Sequence, residues 1–369
     1  MAISTIIIFL LILGVIVFVH ELGHFTMAKL FGVKVEEFGL GFPPKIIGKK
    51  KGETEYTLNW IPLGGFVKIA GEDGENRDDP RSFGAKPIWQ RAIILSAGVI
   101  MNFVLAVVLF SIVFMSGFPT DVSGISQDEI PSDVQVYVQV GELVKDSPAE
   151  KSGLMSMDKI LKIGDVEVEN IEDVQQYSKE NPGKEATLVL ERQGETIQKE
   201  VLIREEYPEN EGAMGISLAK TAIIHYSFLG SIKEAVFYTV DLTKFIFSYL
   251  LDTVGQLIFT GGTTAQVSGP VGMVSMTAQA AQLGIIVLLN FTALISVNLA
   301  IINILPLPAL DGGRIIFLVA EKIKGKPVSQ EFEAKVHNAG FMFLMLLMVV
   351  VTFQDVARLG VWDRIMGMF

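Results

Sequence analysis

Residues 9–32 read FLLILGVIVFVHELGHFTMAKLFG, an apolar run broken by His20, Glu21 and His24. Read as a helix, the run sets His20 and His24 one turn apart on one face, the spacing at which two imidazoles share a zinc ion, with Glu21 beside them as the base. In a soluble helix the five letters HELGH would say little. Ionisable groups inside an apolar segment long enough to cross a bilayer are costly and are kept for function. The fold therefore turns on which segments cross.

Half of the 369 residues are hydrophobic and the mean hydropathy is +0.45. That is too apolar for an ordinary soluble chain and too polar for one embedded throughout, so spans joined to a water-facing module are expected. A net charge of −11 argues against nucleic acid as a partner, which calls for a basic patch or stripe. Without cysteine, disulfides and thiolate ligands are excluded, which leaves His, Asp and Glu to hold a metal.

The first run, 1–31, reads as a permanent transmembrane helix: it lacks the basic n-region and A-x-A-like site of a cleaved signal, and Lys29 and Lys34 put its C-terminal end in the cytoplasm. Residues 32–92 carry many Lys and Arg and read as cytoplasmic, with EYTLNWIPLGGFVKIAG (55–71) as membrane-associated β-hairpin material. Residues 93–117 form a second span, in which Ser96, Ala97, Gly98 and Asn102 are expected to pack against another helix. Between 226 and 262 a polar stripe of Glu234, Asp241, Lys244, Ser248, Asp252 and Gln256 predicts amphipathic helices on the outer membrane surface, followed by a Gly-rich break, GGTTAQVSGPVGM (261–273). A third span, 283–314, runs into NILPLPALDGGR (303–314), whose two prolines must interrupt the helix. Residues 339–358 make the fourth.

The polar stretch 130–207 reads as a separate α/β domain. VQVYVQV and TLVLERQ alternate as strands, SPAEKSGL opens a short helix at a Ser-Pro cap, and IEDVQQYSKE is a second helix. The order, including SPAEKSGLMSMDKILKIGDVEV (147–168), resembles a PDZ domain of the bacterial protease-associated type. The resemblance implies an extracytoplasmic module that either binds a peptide end or filters substrates by size.

The alternation of spans brings the end of the first and the end of the third to the same side, so that Asp311 comes level with His20 and His24. Three protein ligands and an open fourth position are the usual form of a catalytic zinc site. Zinc lowers the pKa of a bound water toward about 7, and Glu21 is placed to take its proton. HELGH in a first span, GGFVKIAG in the following loop, a PDZ-like insert and NILPLPALDGG in a third span are together similar to the intramembrane site-2 protease family, bacterial RseP/RasP type, across essentially the whole chain. The resemblance implies that His20, His24 and Asp311 hold Zn2+ and that Glu21 is the general base. It also implies that Asn303 binds substrate backbone and that Gly64, Gly65 and Phe66 present an extended substrate strand. The expected protein is thus a polytopic α-helical membrane protein of four transmembrane helices with an inserted PDZ domain and a membrane-associated β-hairpin. It would sit in the bacterial inner membrane, with the active site toward the cytoplasm, and cleave single-pass membrane proteins such as anti-sigma factors or remnant signal peptides. A membrane-anchored PDZ adaptor with a non-catalytic zinc site is the alternative; a metal transporter would need more polar residues along the spans.

Overall fold

The computed structural model describes residues 2–72, 78–123, 134–192, 194–208, 211–260 and 268–358. Most of the Gly-rich break and the start of the predicted domain near Ile130 lie outside them. The chain divides into two compact units, one of Met1–Ile112 with Ser231–Phe369 and one of Val113–Gly230.

The first unit begins with helix α1 (Ala2–Leu30). It is closed by a Gly-based cap: Gly32 takes φ +67°, and the Val33 N–H donates to Ala28 O at 2.8 Å, a conformation open to glycine without steric cost. The cap turns the chain into strands β1 (Val35–Lys51) and β2 (Thr54–Ile69). This sheet is longer than the hairpin the sequence suggests, because residues 35–51 join it despite their Gly, Pro and Lys. Phe38, Gly39 and Leu40 stand between Val67, Phe66 and Gly65 on one side and Tyr56, Thr57 and Leu58 on the other, which leaves 65–69 as an edge. Lys29 at the end of α1 reaches Glu53 in the β1–β2 turn at 2.8 Å. Hydrogen bonds from Lys29 and then Arg81 hold the Glu53 carboxyl down at about 2.

Helix α2 (Ile88–Ser116) crosses α1 at backbone contact. A Cβ on Gly23 would fall 2.4 Å from Ala97 O, so the glycine within HELGH is what lets the two helices close. Small residues serve this purpose between membrane helices, where packing replaces the hydrophobic effect as the driving force.

The second unit is a seven-stranded antiparallel sheet in the order β3 (Phe118–Asp121), β9 (Ile216–Ile224), β4 (Val136–Leu143), β5 (Lys159–Ile163), β7 (Glu185–Arg192), β8 (Glu195–Leu202), with β6 (Val166–Glu167) beside β5. Helices α3 (Pro148–Lys151) and α4 (Ile171–Glu180) complete it. Ser147 caps α3 by accepting the Glu150 N–H at 3.2 Å, and Asp173 reaches back to the Asn170 N–H at 2.8 Å, each satisfying a donor the helix leaves open. Val138, Val140, Ile160, Ile163, Val174, Leu188, Leu190 and Ile203 form its buried core. Asp158 is fully buried but paired to Arg192 through two 2.6 Å hydrogen bonds, the condition under which a buried charge is tolerated.

The chain continues as α5 (Phe228–Thr260), α6 (Pro270–Gln282), α7 (Ile285–Ile304), α8 (Asp311–Lys324) and α9 (Gln330–Arg358). Arg91 of α2 and Glu321 of α8 make a buried bidentate pair at 3.0 and 2.5 Å. Asp355, buried on α9, accepts the Gly272 N–H at 2.7 Å and so caps the first turn of α6 from a neighbouring helix.

Five helices among the described residues are long and apolar enough to cross a membrane: Ile3–Leu30, Ile88–Ser116, Phe228–Phe259, Ile285–Ile304 and Gln330–Arg358. The sequence reading counts four. The difference is Phe228–Thr260, which is one continuous helix rather than several short ones. Its window is the least apolar of the five, at a mean hydropathy of 1.2, because its charged residues are spaced along an otherwise hydrophobic surface.

Candidate metal centre

His20 and His24 lie in the last three turns of α1, both buried. His24 Nδ1 donates to Ile94 O of α2 at 2.8 Å, which fixes the ring and leaves Nε2 with its lone pair. His20 Nε2 lies 3.1 Å from His24 Nε2.

Asp311 arrives from the other end of the chain. Pro306 and Pro308 stop α7, and the chain reverses so tightly that a Cβ on Gly312 would stand 2.2 Å from Leu305 O and one on Gly313 2.3 Å from Leu307 O. Only glycine fits at those two places, which is the physical content of D-G-G here. Asp311 is the first residue of α8, where the helix dipole favours a carboxylate. Its Oδ2 lies 3.1 Å from His20 Nε2 and 3.5 Å from His24 Nε2. Neither contact has hydrogen-bond geometry, so Oδ2 is a buried acceptor without a hydrogen-bond partner among the described residues.

The three atoms fit a zinc ion. Donors held at about 2 Å by a tetrahedral metal stand roughly 3.3 Å from one another, and the three separations are 3.1, 3.1 and 3.5 Å. Gly98 of α2 lies against both rings: a Cβ there would stand 2.4 Å from His24 Nε2 and 2.7 Å from His20 Nε2, so the space beside the two nitrogens depends on residue 98 having no side chain.

Residues 64–66 border this centre unequally. A Cβ on Gly64 would meet Val17 of α1 at 2.9 Å, and one on Gly65 would stand 3.8 Å from Glu21 Cγ, so this edge of the sheet runs beside the HELGH turn. Phe66 stacks on Phe42 with ring centroids 6.4 Å apart. Asn303 sits half-buried in the last turn of α7, and no described contact joins it to the three donor atoms.

Three further residues make contacts that the sequence does not specify. Arg314 pairs with Glu72 and ties α8 to the end of the β-sheet region. Asn102, in the stretch expected to pack α2 against another helix, meets α7 through its backbone carbonyl and has its carboxamide at His20 of α1. His337 of α9, to which no role is given from sequence, accepts the Ala309 N–H at 2.9 Å through Nδ1. Ala309 takes φ +75°, a left-handed conformation costing an L-residue about 1–2 kcal/mol, two residues before Asp311. One helical turn further along α9, a Cβ on Gly340 would lie 2.3 Å from Pro308 Cβ. One face of α9 thus holds the turn that delivers Asp311. Replacing His337 with Leu leaves the Ala309 N–H unpaired and is expected to cost about 1–3 kcal/mol, read as a lower midpoint on titration with SDS. His337→Gln, which restores an acceptor, is expected to recover part of the loss.

The model of peptidase family M50 matches residues 8–347. The chain belongs to peptidase family M50. It is 33% identical to the regulator of sigma-W protease RasP of Bacillus subtilis, over 97% of this chain and 100% of that one. It is 32% identical to the zinc metalloprotease RasP of Oceanobacillus iheyensis, over 96% and 99%. As an M50 peptidase with these relatives the protein is a zinc metalloendopeptidase and an integral membrane protein, which sets aside the adaptor and transporter alternatives.

The second unit also contains a groove of about 430 Å³ between α4 and β9. Ile171, Val174 and Ser178 line one wall; Met214, Ile216 and Leu218 line the other. The loop leading into β9, Gly212 to Gly215, carries no G-L-G-F pattern and is not recognisable from sequence.

Proposed function

We propose that His20 Nε2, His24 Nε2 and Asp311 Oδ2 hold the zinc of this peptidase and that Glu21 is its general base. The observation that carries the reading is the near-equilateral spacing of three buried donor atoms, 3.1, 3.1 and 3.5 Å, facing the space kept open by Gly98. Zinc supplies Lewis acidity, polarising a peptide carbonyl and acidifying a water. Glu21, one residue from His20 and not among the three donors, takes the proton of the attacking water and returns it to the leaving nitrogen.

A helical substrate hides its carbonyls in hydrogen bonds and must be unwound before cleavage. In this reading the edge at Gly64, Gly65 and Phe66 pairs with the extended substrate through backbone hydrogen bonds, and Asn303 holds the strand from the α7 side. An apolar cleft of about 440 Å³ between α1 and the sheet, lined by Leu11, Gly14, Val15, Phe18, Leu40, Leu58 and Gly64, supports entry from the bilayer.

The substrate class is single-pass membrane proteins, anti-sigma factors and remnant signal peptides, in regulated intramembrane proteolysis. The name of the Bacillus subtilis relative, regulator of sigma-W protease RasP, supports it. The membrane arrangement proposed has α1, α2, α7 and α9 crossing, the second unit outside as a PDZ domain with its groove on α4 and β9, and the centre toward the cytoplasm. In that arrangement α5 rests on the outer surface. A fifth crossing would need a return before α7, and α6, with 13 residues, is roughly 20 Å long against a hydrocarbon core of about 30 Å.

The test is zinc stoichiometry in purified protein with cleavage of a tagged single-span substrate. Wild type is expected to carry about one zinc per chain, since three protein ligands and one open position make one catalytic site, and to lose cleavage with a chelator. His24→Ala and Asp311→Ala are expected to purify without zinc. Full zinc occupancy in either variant would overturn the ligand assignment.

A further inference from the structure

We infer that Asn102 is a positioning residue that fixes the tautomer of His20 by accepting its Nδ1–H. The inference rests on the reading of His20 Nε2 as a zinc ligand.

A neutral imidazole carries one ring proton. If Nε2 is to give its lone pair to a metal, the proton must sit on Nδ1, and that N–H needs an acceptor to hold it there. His24 meets the requirement through a backbone group, the carbonyl of Ile94 at 2.8 Å. His20 has a side chain at the same place: the Asn102 carboxamide, with Nδ2 3.3 Å from His20 Nδ1.

Two further observations make the carboxamide more than a packing group. Asn102 is fully buried, yet its Oδ1 has no hydrogen-bond partner among the described residues, a state that costs a buried acceptor roughly 1–3 kcal/mol. Its backbone carbonyl is held by the Ser296 hydroxyl of α7 at 2.8 Å, so the residue stands where α1, α2 and α7 meet and its position is set by the helices. Half a turn about the Cβ–Cγ bond, a soft and nearly two-fold torsion in Asn, exchanges Nδ2 for Oδ1. Oδ1 then accepts from His20 Nδ1, and Nε2 is bare toward the centre.

A purely structural Asn between membrane helices makes the opposite predictions. It tolerates Leu, which is apolar and of similar size, and suffers from Asp, which buries a charge. The tautomer role tolerates Asp, an acceptor at the same place, and suffers from Leu.

The experiment measures zinc affinity by chelator competition, and the visible spectrum of the cobalt(II) form, in wild type, Asn102→Leu and Asn102→Asp. Asn102→Leu is expected to bind zinc about 10–100-fold more weakly, the usual cost of removing such a partner, with a shifted cobalt band. Asn102→Asp is expected to stay within about threefold of wild type with the band unmoved, because the acceptor is retained. Equal zinc affinity in wild type and Asn102→Leu, or an Asn102→Asp as weak as Asn102→Leu, would overturn the inference. If Asn102→Leu does not fold, Asn102→Asp decides alone: retained affinity supports the role and loss refutes it. A wild type that binds no zinc would instead sink the ligand assignment, with or without Asn102.

Discussion

Glu21→Gln is expected to lower turnover of a single-span substrate by about 10²–10⁴-fold, the range that general-base catalysis contributes. Zinc content and SDS unfolding midpoint are expected to remain at wild-type values. Gln matches Glu in size and shape, but it accepts no proton at neutral pH. The three donor atoms are untouched, because they belong to His20, His24 and Asp311. The combination is what discriminates: lost zinc would make Glu21 a structural support of the centre, and unchanged turnover under single-turnover conditions would remove it from the chemistry. Substrate binding, followed by co-purification, should persist.

Gly98→Ala is the second change with a large expected effect, and it touches no polar group. The added methyl falls 2.4 Å from His24 Nε2 and 2.7 Å from His20 Nε2. The rings cannot yield cheaply, since His24 is hydrogen-bonded to Ile94 O and Gly23 already holds α1 against Ala97. Either a ring swings out or the helices part, and displacement of the order of 1 Å is enough to cost about 10²-fold in activity. Alanine is the better helix former by roughly 0.5–1 kcal/mol, so α2 itself should not suffer. The expected result is a folded, helical protein with zinc affinity and cleavage both reduced by about 10²-fold or more. Wild-type cleavage in this variant would show that the metal does not occupy the space between the histidines and α2.

The sequence is informative where chemistry and periodicity coincide. His20 and His24 are one turn apart in any helix, and the expectation that Asp311 comes level with them agrees with the 3.1 and 3.5 Å from its Oδ2 to their Nε2 atoms. Asn102, Gly98 and His337 are a different matter. Each acts across a helix–helix contact, and periodicity along one helix carries no information about its axial register against another. Ser96, Ala97 and Gly98 read as a small-residue packing stripe, which is half of what Gly98 does. The β-sheet is partly hidden because GFPPKIIGKKK, residues 41–51, looks like a loop by composition yet lies within β1. Helix α5 is ambiguous for an energetic reason: charges spaced through a hydrophobic segment are compatible with a surface helix and, at its length, with a span.

Nearly three hundred residues separate His24 from Asp311, and α9, which braces the Asp311 turn through His337, comes later still. At a synthesis rate of about 5–20 residues per second, the first span waits on the order of 15–60 s in the membrane before its third donor exists. Throughout that interval the nascent chain holds His20, Glu21 and His24 without Asp311. In the proposed reading, the order of synthesis thereby keeps the centre incomplete until the turn that carries Asp311 has been made.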